Sequence, residues 1–244
     1  MHKHLVLIAA ICITVAVTGC SDDPVSDNVT QVAVTTALTS PRVTSPDSRR
    51  ATSSLQEGDA ADSLTVTRLR VLVRGVVLAK PGVTDSMAIP TFIKYGPFAL
   101  IFDSTGNRFT TERYIPEGDY SRITFDIHRL GDKEVNRYVY DPAYNKFVGD
   151  ERYSVVVEGI AWREGRPFNF TYFSAATPSI STPFSEAITI ARNSVANATI
   201  LFNPNTVFKQ GNKILEPRDP RNFADIGKKL DSAFSVIRRT DIVE

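Results

Sequence analysis

Three histidines and two cysteines bound the nucleophilic and metal chemistry open to this chain: His2, His4 and His128, with Cys12 and Cys20. All but His128 fall within the first twenty residues, so a histidine-based triad in the body of the chain would rest on His128 alone. In the segment Ile123-Thr-Phe-Asp-Ile-His128 the alternation sets His128 with Thr124 and Asp126 on an outward face. A solvated or hydrogen-bonded sheet histidine is expected there rather than a general base. A single histidine also speaks against zinc, which takes several Cys or His ligands, so neither a metal nor a cofactor is expected. Carboxylate chemistry stays open in the stretch Asp132 to Asp150, which reads as a long connection rich in acids and tyrosines. There Tyr138, Tyr140 and Tyr144 are candidate ligand or partner contacts, because tyrosine offers rigid amphipathic surface. Trp162, beside the turn Arg163-Glu-Gly-Arg166, is a fourth. Arg68, Arg70 and Arg74 offer three cations to an anion, although the solvated side of a sheet accounts for them as well. No calcium loop, phosphate-cradling glycine loop, Gly-x-Ser-x-Gly elbow or dinucleotide fingerprint occurs.

The strongest chemical assignment is at Cys20. A short basic start, Met-His-Lys-His4, precedes the apolar run Leu5 to Val17, the build of a secretory signal peptide, and the run is shorter than the about 20 apolar residues a bilayer span needs. It closes on Val17-Thr-Gly-Cys20, which resembles the lipobox of bacterial lipoproteins. That resemblance implies cleavage before Cys20 and diacylation of its thiol, and two acyl chains suffice for stable anchoring. Ser21 in the next position implies the outer membrane, and Asp22-Asp23 resembles the acidic surface-export signal of Bacteroidota lipoproteins, so possible exposure at the cell surface follows. With Cys12 removed, the mature domain has no disulfide and depends on its apolar core.

Loss of residues 1–19 removes Lys3, so 28 Lys plus Arg become 27 against 27 Asp plus Glu. A neutral chain carries no basic footprint for nucleic acid. Residues 20–62, rich in Ser and Thr with Pro24, Pro41 and Pro46, read as the lipidated cysteine and a flexible tether, with a coil span of roughly 35 Å. A rival reading makes Val29 to Leu38 a strand on its β-branched content.

From Ser63 the pattern is that of strands. Leu64-Thr-Val66 and Leu69-Arg-Val71-Leu-Val73 alternate, with a phase slip near Arg68 that predicts a bulge. Phe98 to Phe102 is apolar on both faces, and Ser104 to Asn107 predicts a turn before a returning strand from Arg108 to Ile115. Tyr153 to Trp162 and Pro167 to Phe173 form a hairpin, with Phe168, Phe170 and Tyr172 on one face. Thr182 to Ile190 and Val195 to Phe202 suggest a second hairpin. Asp219-Pro220 reads as a helix start, and Phe223, Ile226, Leu230, Phe234 and Ile237 then recur as the stripe of an amphipathic helix.

The ordered set Lys94-Tyr-Gly-Pro-Phe98, then Pro116-x-Gly-x-Tyr120-x-x-Ile123-x-Phe-x-Ile-His128, then Tyr153-Ser-Val-Val-Val-Glu-Gly159 resembles a family of bacterial envelope lipoproteins with immunoglobulin-like or transthyretin-like domains. The resemblance spans roughly residues 63 to 240. It implies a fold and a location, and it carries over no catalytic residue. The expected architecture is therefore mainly β, an antiparallel β-sandwich over residues 63–218 with a C-terminal amphipathic helix over 219–240 packed on it. The expected role is a non-enzymatic binding, adhesion or structural module, anchored to the outer membrane through lipid on Cys20, with a glycan or protein partner. Two alternatives remain: a glycan hydrolase with a carboxylate-only site, which needs two carboxyls about 5–10 Å apart, and a fimbrillin-like assembly subunit.

Overall fold

The computed structural model describes residues 30–45, 61–82, 91–111 and 114–239. The expected signal peptide, Cys20 and the residues just after it lie outside these. The chain runs β1 Gln31–Leu38, β2 Arg42–Thr44, β3 Ser63–Ala79, β4 Thr91–Phe102, β5 Asn107–Thr110, β6 Gly118–Ile127, α1 Asp132–Tyr138, β7 Val155–Arg163, β8 Arg166–Ser174, β9 Ser179–Ile190 and β10 Val195–Phe202. Then come α2 Pro204–Phe208, β11 Lys209–Gln210, β12 Lys213–Ile214, α3 Phe223–Lys228 and β13 Phe234–Arg239.

The long strand β3 organises the sheet. Its first half pairs antiparallel with β7, and its second half pairs with β6 along the same edge, while β4 takes the other edge. The ladder to β7 slips one residue between Val66 and Arg68, at the expected bulge. From β6 the order continues β9, β13, β10, β1, β5. Two of these contacts are parallel, β1 with β10 and β13 with β9, so the sheet is mixed. It also curls: Thr36 Oγ1 on β1 donates to the Ile101 carbonyl on β4, and the Phe98 and Phe109 rings meet edge-on at 5.5 Å, bringing β1 and β5 round to β4. Inside the curl, Phe102, Phe125, Phe202 and Phe234 pack with ring centroids 5.2–6.2 Å apart. The architecture is thus mainly β, as expected.

Four expectations change. Residues 31–38 are a strand and not tether: Val32, Ala33 and Val34 are buried, and β1 is hydrogen-bonded on both edges. Its β-branched content finds a partner in β10, some 160 residues away, which no local pattern announces. The C-terminal stretch is not one helix. Asp219 does cap, accepting from Arg221 N, and Pro220 opens a short 3-10 turn as expected. The following α3 spans six residues, and after a 3-10 turn at 231–233 the chain becomes β13, with Phe234 and Val236 buried at the two-residue period of a strand while Ile237 is exposed. β9 and β10 do not form a hairpin, because β13 lies between them. The strand after the Asp103 turn pairs with β1 rather than returning on β4.

The segment 203–233 leaves β10, crosses the β7–β8 wing and returns as β13. It covers the inner face of β8, where Phe170 and Tyr172 are buried against Phe208 at 6.2 Å and Tyr172 meets Phe223 at 5.5 Å. The expected aromatic strip is therefore core over most of its length. A glycine makes the wing possible, since a Cβ on Gly159 would sit 2.3 Å from the Thr65 carbonyl and 2.7 Å from the Phe170 ring.

Candidate functional site

The connection 132–150 folds onto the outer face of β3 and β7, where Leu72, Leu130, Phe147 and Val156 form a small separate core. Tyr138 and Tyr144 roof it. Their rings stack at 4.3 Å, and both hydroxyls donate to the Pro97 carbonyl, at 3.4 and 3.1 Å. Burial first, then the neighbouring Tyr138 and Asp141, pushes the Tyr144 hydroxyl up to about 12. Tyr140 is 94% exposed. Trp162 lies at the far end of β7, paired with Ser63 and Pro167; the six residues from Val156 make that about 20 Å of strand. The four aromatic candidates therefore do not converge: two are packing, one is bare surface and one is remote.

His128 is tied into the same loop. Its Nε2 is 2.8 Å from Glu134 Oε2, and its Nδ1 is 3.4 Å from Arg74 Nη2. A guanidinium only donates, so Nδ1 accepts and the proton sits on Nε2, directed at the carboxylate. Glu134 Oε2 also accepts from Gly131 N at 2.8 Å, closing the first turn of α1. Burial opposes its charge, but the Gly131 amide, His128 and Arg74 together hold the Glu134 carboxyl below its ordinary range. This constellation pins α1 to the sheet. Arg68 and Arg70 are likewise engaged, with Asp103 at 3.3 Å and Glu158 at 3.1 Å. The β3 arginines are thus paired in a row, and Arg70, its side chain only 11% exposed, is not on a solvated face.

A different cluster forms where the covering segment meets the β7–β8 turn. Glu164 and Gly165 both adopt positive φ there, the conformation of a tight hairpin turn. That turn fixes Arg163 at the end of β7, opposite the loop 215–221. A pocket of about 290 Å³ opens between them, lined by Arg163, Glu216, Arg218, Asp219 and Arg221. Glu216 is buried, its side chain 7% exposed. Its Oε1 accepts from Arg218 Nε at 3.2 Å, while its Oε2 lies 3.8 Å from Arg163 Nη2 and makes no hydrogen bond. The Nε of Arg163 is also buried without a hydrogen-bond partner. The Arg218 guanidinium lies 3.7 Å from the centre of the Phe168 ring, a stacking that fixes its plane. Asp219 is committed elsewhere. It caps the 3-10 turn and grips Arg221 at 2.7 Å, and those hydrogen bonds hold its carboxyl below the ordinary range.

Three guanidinium groups thus face two carboxylates, leaving one positive charge in excess. Among the described residues, one buried donor and one buried acceptor of this site still make no hydrogen bond. Such a site can hold a small anion, and a volume near the lower end of ligand cavities, roughly 300–1,000 Å³, limits it to one compact unit. Sequence spacing does not announce it: Arg163 reads as part of a turn and Phe168 as one of three aromatics on an alternating face. The only local hint was a buried-type run, Ile214-Leu-Glu-Pro217, with a charge inside it.

No protein-family model matches the chain, and no curated protein matches its sequence. Among solved structures the chain is similar to MbnP from Methylosinus trichosporium, with a TM-score of 0.44 and 12% identity over 86% of this chain and 99% of that one. That likeness is too slight to define a shared fold family. Among the described residues no helix is long and apolar enough to cross a membrane.

Proposed function

We propose that this chain is a lipid-anchored protein of the bacterial envelope whose β-domain is a non-enzymatic binding module taking small anions at the Arg163–Glu216–Arg218 pocket. The signal-like start and the lipobox-like Val17-Thr-Gly-Cys20 support the anchor and its place at the outer membrane. The single observation that carries the binding reading is the pocket itself: an excess guanidinium beside buried polar atoms that make no hydrogen bond among the described residues, an arrangement that costs about 1–3 kcal/mol per orphaned group unless something occupies it. The β-sandwich of the resembled lipoprotein family is part of the same proposal, as the finer description of the curled sheet.

The glycan-hydrolase alternative, for which the sequence offers the acid-rich stretch Asp132 to Asp150, needs two carboxyls facing one cleft; the pocket's own pair is Glu216 and Asp219. Glycoside hydrolysis needs one carboxyl kept protonated as general acid. Asp219 is held ionised by Arg221, and Glu216 is hydrogen-bonded to Arg218. Both carboxylates therefore hold arginines in place. The fimbrillin-like alternative requires a removable edge strand; β1 is bonded on both sides, and the strands at the two ends of the sheet order are β5 and β8.

The test is a calorimetric titration of the detergent-solubilised full chain with sodium acetate, sodium sulfate and sodium D-glucuronate at low ionic strength, where screening is least. At least one anion is expected to bind saturably at one site. The double variant R163A/R218A should weaken it by about tenfold or more, since each charge-assisted hydrogen bond contributes roughly 1.5–3 kcal/mol. Equal affinity in the double variant, or no binding of any of the three, contradicts the reading.

A further inference from the structure

Resting on the binding reading above, we infer that the pocket selects a hydroxylated monocarboxylate, the chemical class of sugar acids, rather than a bare anion, a zwitterion or a neutral sugar. The inference rests on what the pocket lacks. Arg163 Nε is a buried donor in need of an acceptor, and Glu216 Oε2 is a buried acceptor in need of a donor, in two side chains whose charged ends approach to 3.8 Å. A hydroxyl group donates and accepts at once, and a pair of neighbouring hydroxyls does so at two adjacent points. A bare carboxylate accepts only. It satisfies Arg163 and leaves Glu216 Oε2 facing a second negative charge.

Charge decides between the remaining classes. Arg221 is matched by Asp219 and Arg218 by Glu216, which leaves the Arg163 guanidinium as the excess. A monoanion completes that balance, whereas an amino-acid zwitterion brings no net charge and a neutral sugar brings none at all. The arginine forks suit a carboxylate bidentately, and Arg218 is oriented for this by its stack on Phe168. The ligand carboxylate therefore faces Arg163 and Arg218, and its hydroxyls turn to Glu216. The same chemistry occurs in a free sugar acid and in the end residue of an acidic polysaccharide, and a pocket of about 290 Å³ holds one such unit.

The experiment compares sodium D-glucuronate, sodium acetate and D-glucose by titration calorimetry, on the detergent-solubilised full chain and on E216Q. An oligoglucuronate and its monomer are then compared to separate the polymeric from the free source. D-Glucuronate is expected to bind about tenfold or more tightly than either acetate or glucose, the ratio set by one charge-assisted hydrogen bond. In E216Q the amide nitrogen replaces the free acceptor, so the ratio of D-glucuronate to acetate affinity should fall to about one, whatever the change in either affinity alone. If E216Q does not melt cooperatively, sodium lactate and sodium propionate, which differ by one hydroxyl, are compared on the unsubstituted chain: lactate should bind more tightly, and equal affinity overturns this inference. Acetate binding as tightly as D-glucuronate, or a preference unchanged in the variant, overturns this inference and leaves the anion site standing. Absence of binding by all three overturns both.

Discussion

At the scale of single residues, polar groups in this domain divide into those whose partners lie within the fold and those left waiting. Tyr144 belongs to the first group. Its hydroxyl donates to the Pro97 carbonyl, its ring stacks on Tyr138, and burial pushes its ionisation up to about 12 from an ordinary value near 10. The folded state thus prefers the neutral phenol. The stability this contributes is present in full below about pH 10 and is lost as pH rises from there through about 12. Difference absorbance of tyrosinate, wild type minus Y144F, should place this one ionisation near pH 12; a midpoint at pH 10 would show that the hydroxyl is not held by the loop. Glu134 works in the opposite direction, its depressed carboxyl stabilising α1 above the ordinary carboxylate range and releasing it in acid. Among the described residues Arg70 Nε, Arg163 Nε and Glu216 Oε2 form the second group, and the last two share one pocket, which is the reason for proposing a ligand there.

At the scale of elements, β3 carries four neighbours, β2 and β4 along one edge and β7 then β6 along the other, and its ladder to β7 bulges between Val66 and Arg68. Gly159 stands opposite that bend. Replacing it with alanine drives a methyl group into the Thr65 carbonyl and the Phe170 ring, and overpacking of this kind costs about 1–3 kcal/mol. Thermal melts of G159A should show a loss of that size; an unchanged melting temperature would contradict the described packing. These strands were readable in the sequence because alternation, the phase slip at Arg68 and the Glu164-Gly165 turn are local signals. The position of β13 was not readable. Phe223, Ile226 and Leu230 set a helical spacing that Phe234 and Ile237 happen to continue, and only the register with β10 decides that Val236 rather than Ile237 turns inward. The pocket was illegible for the same reason. Its Arg163 and Glu216 are 53 positions apart, and only the crossing of the segment 203–233 over β7 and β8 brings them together.

At the scale of the whole molecule, the inclusion of β1 sets how far the domain can stand from the proposed lipid anchor. The sheet starts at Gln31, eleven residue steps from Cys20, so a lipid on that cysteine sets the sheet no more than about 40 Å away. The tether envisaged over residues 20–62 instead spends its middle third as core. Under the proposed anchor the domain stays within that distance of the membrane face. The account's central claim, a folded binding domain held by lipid at its own N-terminus, is met most directly by the mass spectrum of the chain recovered from membranes. It predicts a polypeptide that begins at Cys20 and carries the added mass of a diacylglyceryl group on that residue. A chain that still begins at Met1, or one cut elsewhere with Cys20 absent or unmodified, would contradict it.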